Sequence, residues 1–209
     1  MPLNLVLVRH GQTAFNRDQR VQGRSDHPLD ETGRAQAVML ARRLAREPVR
    51  SVFSSPLRRA TETAHAIAAS HGVAVQVEQG LIEMDVGELD GVTYREMRDR
   101  FGDFLKAWNR DAGSVRMPGG ETVQEVQARA WPVFQRAASA SQEGAVVVVS
   151  HSFALQGLVC KAMDVPLTHF ERVRHDCAAV TIFAVRDGEY ILRCLNDRCH
   201  LRHETEDWP

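Results

Sequence analysis

Leu5-Val6-Leu7-Val8-Arg9-His10-Gly11 is an apolar β-type run that ends on a histidine flanked by an arginine. It predicts a strand buried in a sheet, with Arg9 and His10 standing where that strand leaves the core. In open α/β sheets, ligands bind in the crevice outside the carboxyl ends of the strands. A second run, Ala145-Val146-Val147-Val148-Val149, is continuous and β-branched, the pattern of a parallel strand covered on both faces, and His151 follows two residues later. A third, Val49 to Phe53, closes on Ser54-Ser55-Pro56, where serine can cap and proline can open a helix, with Arg58 in the first turn. Parallel strands would bring Arg9, His10, Arg58 and His151 to one edge of the sheet.

The intervening segments alternate helix and strand patterns. Asp30 is placed as an N-cap before a helix whose face carries Ala37, Leu40, Ala41, Leu44 and Ala45. Ala60, Ala64, Ile67 and Ala68 form a buried stripe on the helix after Pro56, and Val73 to Val77 alternates like a strand. Residues 79–120 lack a steady period and predict an insertion, with one or two short helices over Tyr94 to Arg110. Pro132 lies inside the helical pattern of residues 121–138 and predicts a kink or an early break. Phe153 to Met163 reads as a helix, and residues 178–185 and 189–195, joined across Asp187-Gly188, read as an edge hairpin. The expected fold is α/β, a three-layer α/β/α domain over residues 1–209. Its central sheet is mostly parallel, with an antiparallel edge hairpin and a small helical insertion at about 84–120 covering the substrate.

The chain has 209 residues, 44% of them hydrophobic, and 26 Lys+Arg balance 27 Asp+Glu. Near-neutral charge argues against a nucleic-acid binder or a charge-held membrane protein, so any anion site must be local. No apolar stretch approaches the roughly 18 residues that span a bilayer, and a cytoplasmic location is expected. The four cysteines, Cys160, Cys177, Cys194 and Cys199, show no Cys-x-x-Cys spacing, which predicts reduced structural thiols.

A histidine beside fixed positive charge suits attack on phosphorus. The attack requires neutral His10, which Arg9 and Arg58 would favour by like-charge repulsion, and the same arginines would stabilise charge on the equatorial oxygens. The amino end of the helix beginning at Ser152 adds backbone donors for an anion. Glu83, in Leu81-Ile82-Glu83-Met84-Asp85, is the best-placed carboxylate to protonate a leaving alkoxide and then activate water. Other polar residues carry plainer readings. His65 is expected to pack, His175 to be a surface or turn residue, Arg24 and Arg116 to be solvated, and Phe104 and Trp108 to form core of the insertion.

In ordered combination, Arg9-His10-Gly11-Gln12-Thr13, Asn16, Gln22-Gly23, Leu29-Asp30-Glu31-Thr32-Gly33, Ser54-Ser55-Pro56-Leu57-Arg58-Arg59-Ala60, Glu83, Pro118-Gly119-Gly120-Glu121 and Ser150-His151 resemble the histidine phosphatase superfamily, the phosphoglycerate-mutase-like fold. The resemblance implies His10 as phosphorylated nucleophile, Arg9, Arg58 and His151 as phosphate ligands, and Glu83 as proton donor. Asn16 and Gln22, with Gly23 and Ser152, would line the substrate pocket. It implies no metal or organic cofactor, and a small phosphorylated metabolite as partner; a homodimer through the edge hairpin is also expected.

Cofactor-dependent mutases of this family resemble Glu-Arg-His-Tyr-Gly at the acid, whereas this chain has Glu83-Met84-Asp85-Val86-Gly87 and a shorter insertion. That favours the phosphatase branch, with a phosphoglycerate mutase and a non-catalytic phosphate-binding protein as alternatives. The tail Leu195-Asn196-Asp197-Arg198-Cys199-His200-Leu201 is similar to endings among α-ribazole, broad-specificity and metal-independent phosphoserine phosphatases, which makes phosphoserine and α-ribazole phosphate candidate substrates.

Overall fold

Alternation along two apolar strands divides the core between the faces of one sheet. A computed structural model describes residues 3–201. In it β1 (Leu3–Arg9) and β4 (Ala145–Ser150) lie parallel, with Val6 opposite Val147 and Arg9 opposite Ser150. Successive side chains of a strand point to opposite faces. Val6 and Val8 with Val147 and Val149 therefore enter one apolar cluster, while Leu5 and Leu7 with Val146 and Val148 enter another. Every residue of β4 is buried, as its uninterrupted apolar run requires.

The six strands run in the order β3-β2-β4-β1-β5-β6. β2 (Val49–Ser54) and β3 (Val75–Val77) continue the parallel set beyond β4. On the other side β5 (Val180–Arg186) is antiparallel to β1, and β6 (Glu189–Asp197) closes the edge. Asp187 and Gly188 turn this hairpin with φ of 51° and 82°, the left-handed pair that a two-residue turn between twisted strands needs. The third strand is shorter than its alternation suggested: Val73 and Ala74 precede the ladder.

After the four-residue helix α1 (Ala14–Arg17), α2 (Glu31–Leu44) starts at Asp30, whose carboxylate accepts from the Gly33 amide at 2.8 Å. It packs with α3 (Arg58–Ala69) on the Val6/Val8 face through Leu40, Leu44, Ala60, Ala64 and Ile67. The insertion contains two 3₁₀ turns, Gln79–Leu81 and Gly87–Leu89, then α4 (Tyr94–Arg100) and α5 (Gly102–Asp111). On the opposite face α6 (Val123–Ser139) and α7 (Ser152–Ala162) bury Val133, Phe134 and Leu155. The break expected at Pro132 does not occur; α6 runs through it for 17 residues. Proline there removes one bond to the carbonyl of Ala128, and both residues are exposed, so water can take that carbonyl. Among the described residues, no helix is long and apolar enough to cross a membrane.

The amino end of α2 presses on the loop after His10. A Cβ on Gly33 would collide with the Gln12 carbonyl oxygen, and one on Gly11 would stand 2.5 Å from the Gly33 oxygen. Both neighbours are backbone and cannot rotate away. Gly33→Ala should therefore destabilise the protein by about 1–3 kcal/mol, the usual range for overpacking, in urea unfolding. Gly102→Ala, where nothing stands within 4 Å of the new methyl, should stay within about 0.5 kcal/mol of wild type.

Candidate active site

Adjacent strand ends bring the histidines together. The His10 amide donates to the Ser150 carbonyl at 3.1 Å and the Ser55 amide to that of Val149 at 3.0 Å, which places the loops after β1, β2 and β4 side by side. The two imidazoles lie with ring centroids 5.0 Å apart. The loop after His10 is also fastened to α3, because the Gly11 amide donates to Thr63 Oγ1 at 3.1 Å.

The cation between the rings is Arg59. Its Nε donates to His10 Nε2 at 3.3 Å and to His151 Nδ1 at 3.2 Å, while Nη1 and Nη2 donate to the carbonyls of Ser25 and Gly23 at 2.9 and 2.7 Å. Arg58, expected in this position, is not there. Its side chain is 60% exposed and faces Glu62 at 3.8 Å, and its backbone amide donates to Asp26. Helix phase is the reason: Arg59, Thr63 and Ile67 fall four apart on the buried side of α3, and Arg58 and Glu62 fall on the solvent side. That spacing was the available signal, and the adjacency of two arginines obscured it.

Acceptors identify where the imidazole protons sit. His10 Nδ1 is 2.7 Å from the Gly11 carbonyl, which can only accept, so Nδ1 carries the proton and Nε2 keeps its lone pair. His151 Nδ1 accepts from Arg59, and its Nε2 donates to Ser55 Oγ at 2.7 Å. Burial, then the charges of Arg59 and Arg9, holds the pKa of His10 well below that of an ordinary histidine; burial, Arg59 and His10 do the same to His151. Burial also lowers Arg59 to about 10, which leaves it a cation at neutral pH.

Glu83 is equally buried but is pushed the other way. Its Oε1 accepts from the amides of Met84 (2.8 Å) and Ala154 (3.3 Å), and its Oε2 from that of Phe153 (3.2 Å), at the amino end of α7. Burial raises its pKa despite these donors and the charges of Arg59 and Arg9. A link absent from the sequence reading holds its loop. Arg129 on α6 donates to the carbonyls of Gly80, Ile82 and Glu83 at 2.9, 2.6 and 2.9 Å and pairs with Glu121 at 3.0 Å. Nothing local in the sequence marks a contact across 46 residues.

Arg9, His10, Asn16, Gln22, Glu83 and Ser152 line a cleft of about 420 Å³. Gln22 Oε1 is 2.9 Å from Thr13 Oγ1, and its Nε2 is buried without a partner among the described residues, a donor left for a ligand. His151 is fully buried beside His10, and Gly23 is absent from the lining because its role is to accept from Arg59. His65 is exposed rather than packed, with Nδ1 against the Thr61 carbonyl, and His175, though outside any helix or strand, is buried, with its carbonyl accepting from Arg9 Nη1 at 2.6 Å. Arg24 and Arg116 are exposed yet paired, with Glu121 and Glu125. The site combines a neutral nitrogen nucleophile, two arginines and a carboxyl group whose pKa burial raises.

Comparison with known proteins agrees with this geometry. The family model for the histidine phosphatase superfamily (branch 1) matches residues 5–198. Phosphoserine phosphatase 1 of Hydrogenobacter thermophilus is 31% identical over 199 residues, covering 95% of this chain and 94% of its own. Phosphoglycerate mutase-like protein 4 of Arabidopsis thaliana is 31% identical over 201 residues, 94% of this chain and 86% of its own. Among solved structures, a mycobacterial glucosyl-3-phosphoglycerate phosphatase in complex with VO3 superposes with a TM-score of 0.86 at 30% identity, covering 93% of this chain and 99% of that one. Bacillus stearothermophilus YhfR gives 0.89 at 28%, covering 96% and 100%. With the family model spanning nearly all of the sequence and relatives aligned over almost their whole length, the chain belongs to the histidine phosphatase superfamily.

Proposed function

We propose that this protein hydrolyses a small phosphomonoester through a phosphohistidine on His10. The observation that carries this is Arg59 Nε shared between two uncharged imidazoles, in the site whose cleft also holds Glu83. His10 Nε2 attacks phosphorus as the bond to the alcohol oxygen breaks, and Glu83 gives its proton to that oxygen. Arg9, Arg59 and the Nε2 of Gln22 supply donors to the equatorial oxygens, and His151 does so by exchanging Ser55 Oγ for a phosphate oxygen at its Nε2, with Asn16 and Ser152 at the rim. The Nδ1 proton held by Gly11 leaves the phosphorylated ring cationic and so a good leaving group. Water then gives a proton to the Glu83 carboxylate and attacks phosphorus; the P–N bond breaks, phosphate departs, and His10 is neutral again.

Hydrolysis is favoured over a mutase by the surroundings of the acid. Met84 and Asp85 follow Glu83, and the nearby Arg24 and Arg116 are engaged by Glu121 and Glu125 rather than free for a second anionic group. The same proposal keeps a single domain over 1–209 with residues 84–120 covering the cleft, a cytoplasmic location and a small phosphorylated metabolite as partner. A homodimer would use the β6 edge, where Ile191 and Leu195 are exposed.

Incubation with a phosphorylated substrate in EDTA should yield an acid-labile phosphoenzyme and release inorganic phosphate, and His10→Ala should abolish both. Full activity in that variant, or primer-dependent isomer exchange without phosphate release, would contradict the proposal. Arg59→Met should lower kcat by about 10²–10³-fold, the scale of one lost transition-state donor, with Arg58→Ala within about twofold of wild type in the same steady-state assay.

A further inference from the structure

The cleft that holds His10 and Glu83 is walled elsewhere by Met97, Phe104, Leu105, Trp108, Phe153 and Phe170. Only Trp108 and Phe170 of these are fully packed, at 8% and 2% exposure; the others are half-buried and leave apolar surface uncovered. Phe153 and Phe170 stack at 5.9 Å with 23° between their planes, and Trp108 meets both edge-on at 88° and 89°. Phe104 lies 5.6 Å from Trp108. The one polar atom of the Trp108 ring is already used, since Nε1 donates to Glu171 Oε1 at 2.6 Å. What the indole offers a ligand is therefore ring surface. Phe104 and Trp108, expected as insertion core, are both core and cleft wall.

Charge on this wall is unsuited to an acid. Glu171 itself lines the cleft, and among the described residues the lining holds one cation beyond Arg9, Arg20, whose Nη1 donates to the Gly91 carbonyl at 2.8 Å. Resting on the phosphatase reading above, we infer that residues of α5, α7 and the 3₁₀ turn Leu167–Arg172 form a leaving-group subsite for an uncharged, ring-sized apolar alcohol. The preferred substrate is then a phosphomonoester of such an alcohol, in place of a phosphorylated amino or hydroxy acid.

Primary alkyl phosphates test this with little difference in leaving-group reactivity. We expect kcat/KM for 2-phenylethyl phosphate to exceed that for phosphoserine, 3-phosphoglycerate and ethyl phosphate by about tenfold or more, the effect of burying one ring. Phe104→Ala, and independently Leu105→Asn, should lower kcat/KM for 2-phenylethyl phosphate several-fold more than for ethyl phosphate. Preference of the wild-type protein for phosphoserine or 3-phosphoglycerate, lost in Arg20→Ala, would overturn the inference and leave the phosphatase reading standing. No hydrolysis of any of the four esters would overturn both.

Discussion

A guanidinium buried between two imidazoles is the constraint around which the site is arranged. Arg59 is fully covered by protein, and taking a cation out of water is costly unless its donors and charge are answered. Here the carbonyls of Ser25 and Gly23 take one hydrogen from each Nη and two ring lone pairs share the Nε hydrogen, while Asp26 favours its charge. The lone pairs exist only if both rings are neutral. The cation therefore reinforces the neutral state that burial favours in His10 and His151, and their position depends on β2, β4 and β1 being neighbours in the sheet.

Burial then produces opposite functional states in the two groups that exchange a proton with the reaction. Desolvation disfavours charge, so it lowers the pKa of His10 and raises that of Glu83. One becomes a nucleophile with an available lone pair and the other an acid. A neutral histidine persists as pH falls below the ordinary histidine range, and a protonated glutamate persists as pH rises above the ordinary carboxylate range. The interval in which both are ready is widened from both sides.

Local pattern made much of this legible. Runs of β-branched residues located β1 and β4 and hence His10 and His151, apolar periodicity located α2 and α3, and Asp187-Gly188 located the hairpin. Motif order identified the family. What failed depended on phase or on distant contacts. Arg58 and Arg59 differ by 100° around a helix, which a strand-end argument does not resolve. His65 is exposed and His175 buried because the packing of α3 and of the loop before β5 is tertiary. Pro132 was tolerated because its lost bond faces water, and the Arg129 clamp on the Glu83 loop joins segments with no local signature.

The central claim is the state of the His10 ring, and nitrogen-15 NMR of the imidazole measures it directly. At about pH 6 the account predicts a neutral ring with the proton on Nδ1 and an unprotonated Nε2, given that His10 titrates well below the ordinary histidine range. An imidazolium at that pH, or a neutral ring protonated on Nε2, would contradict it.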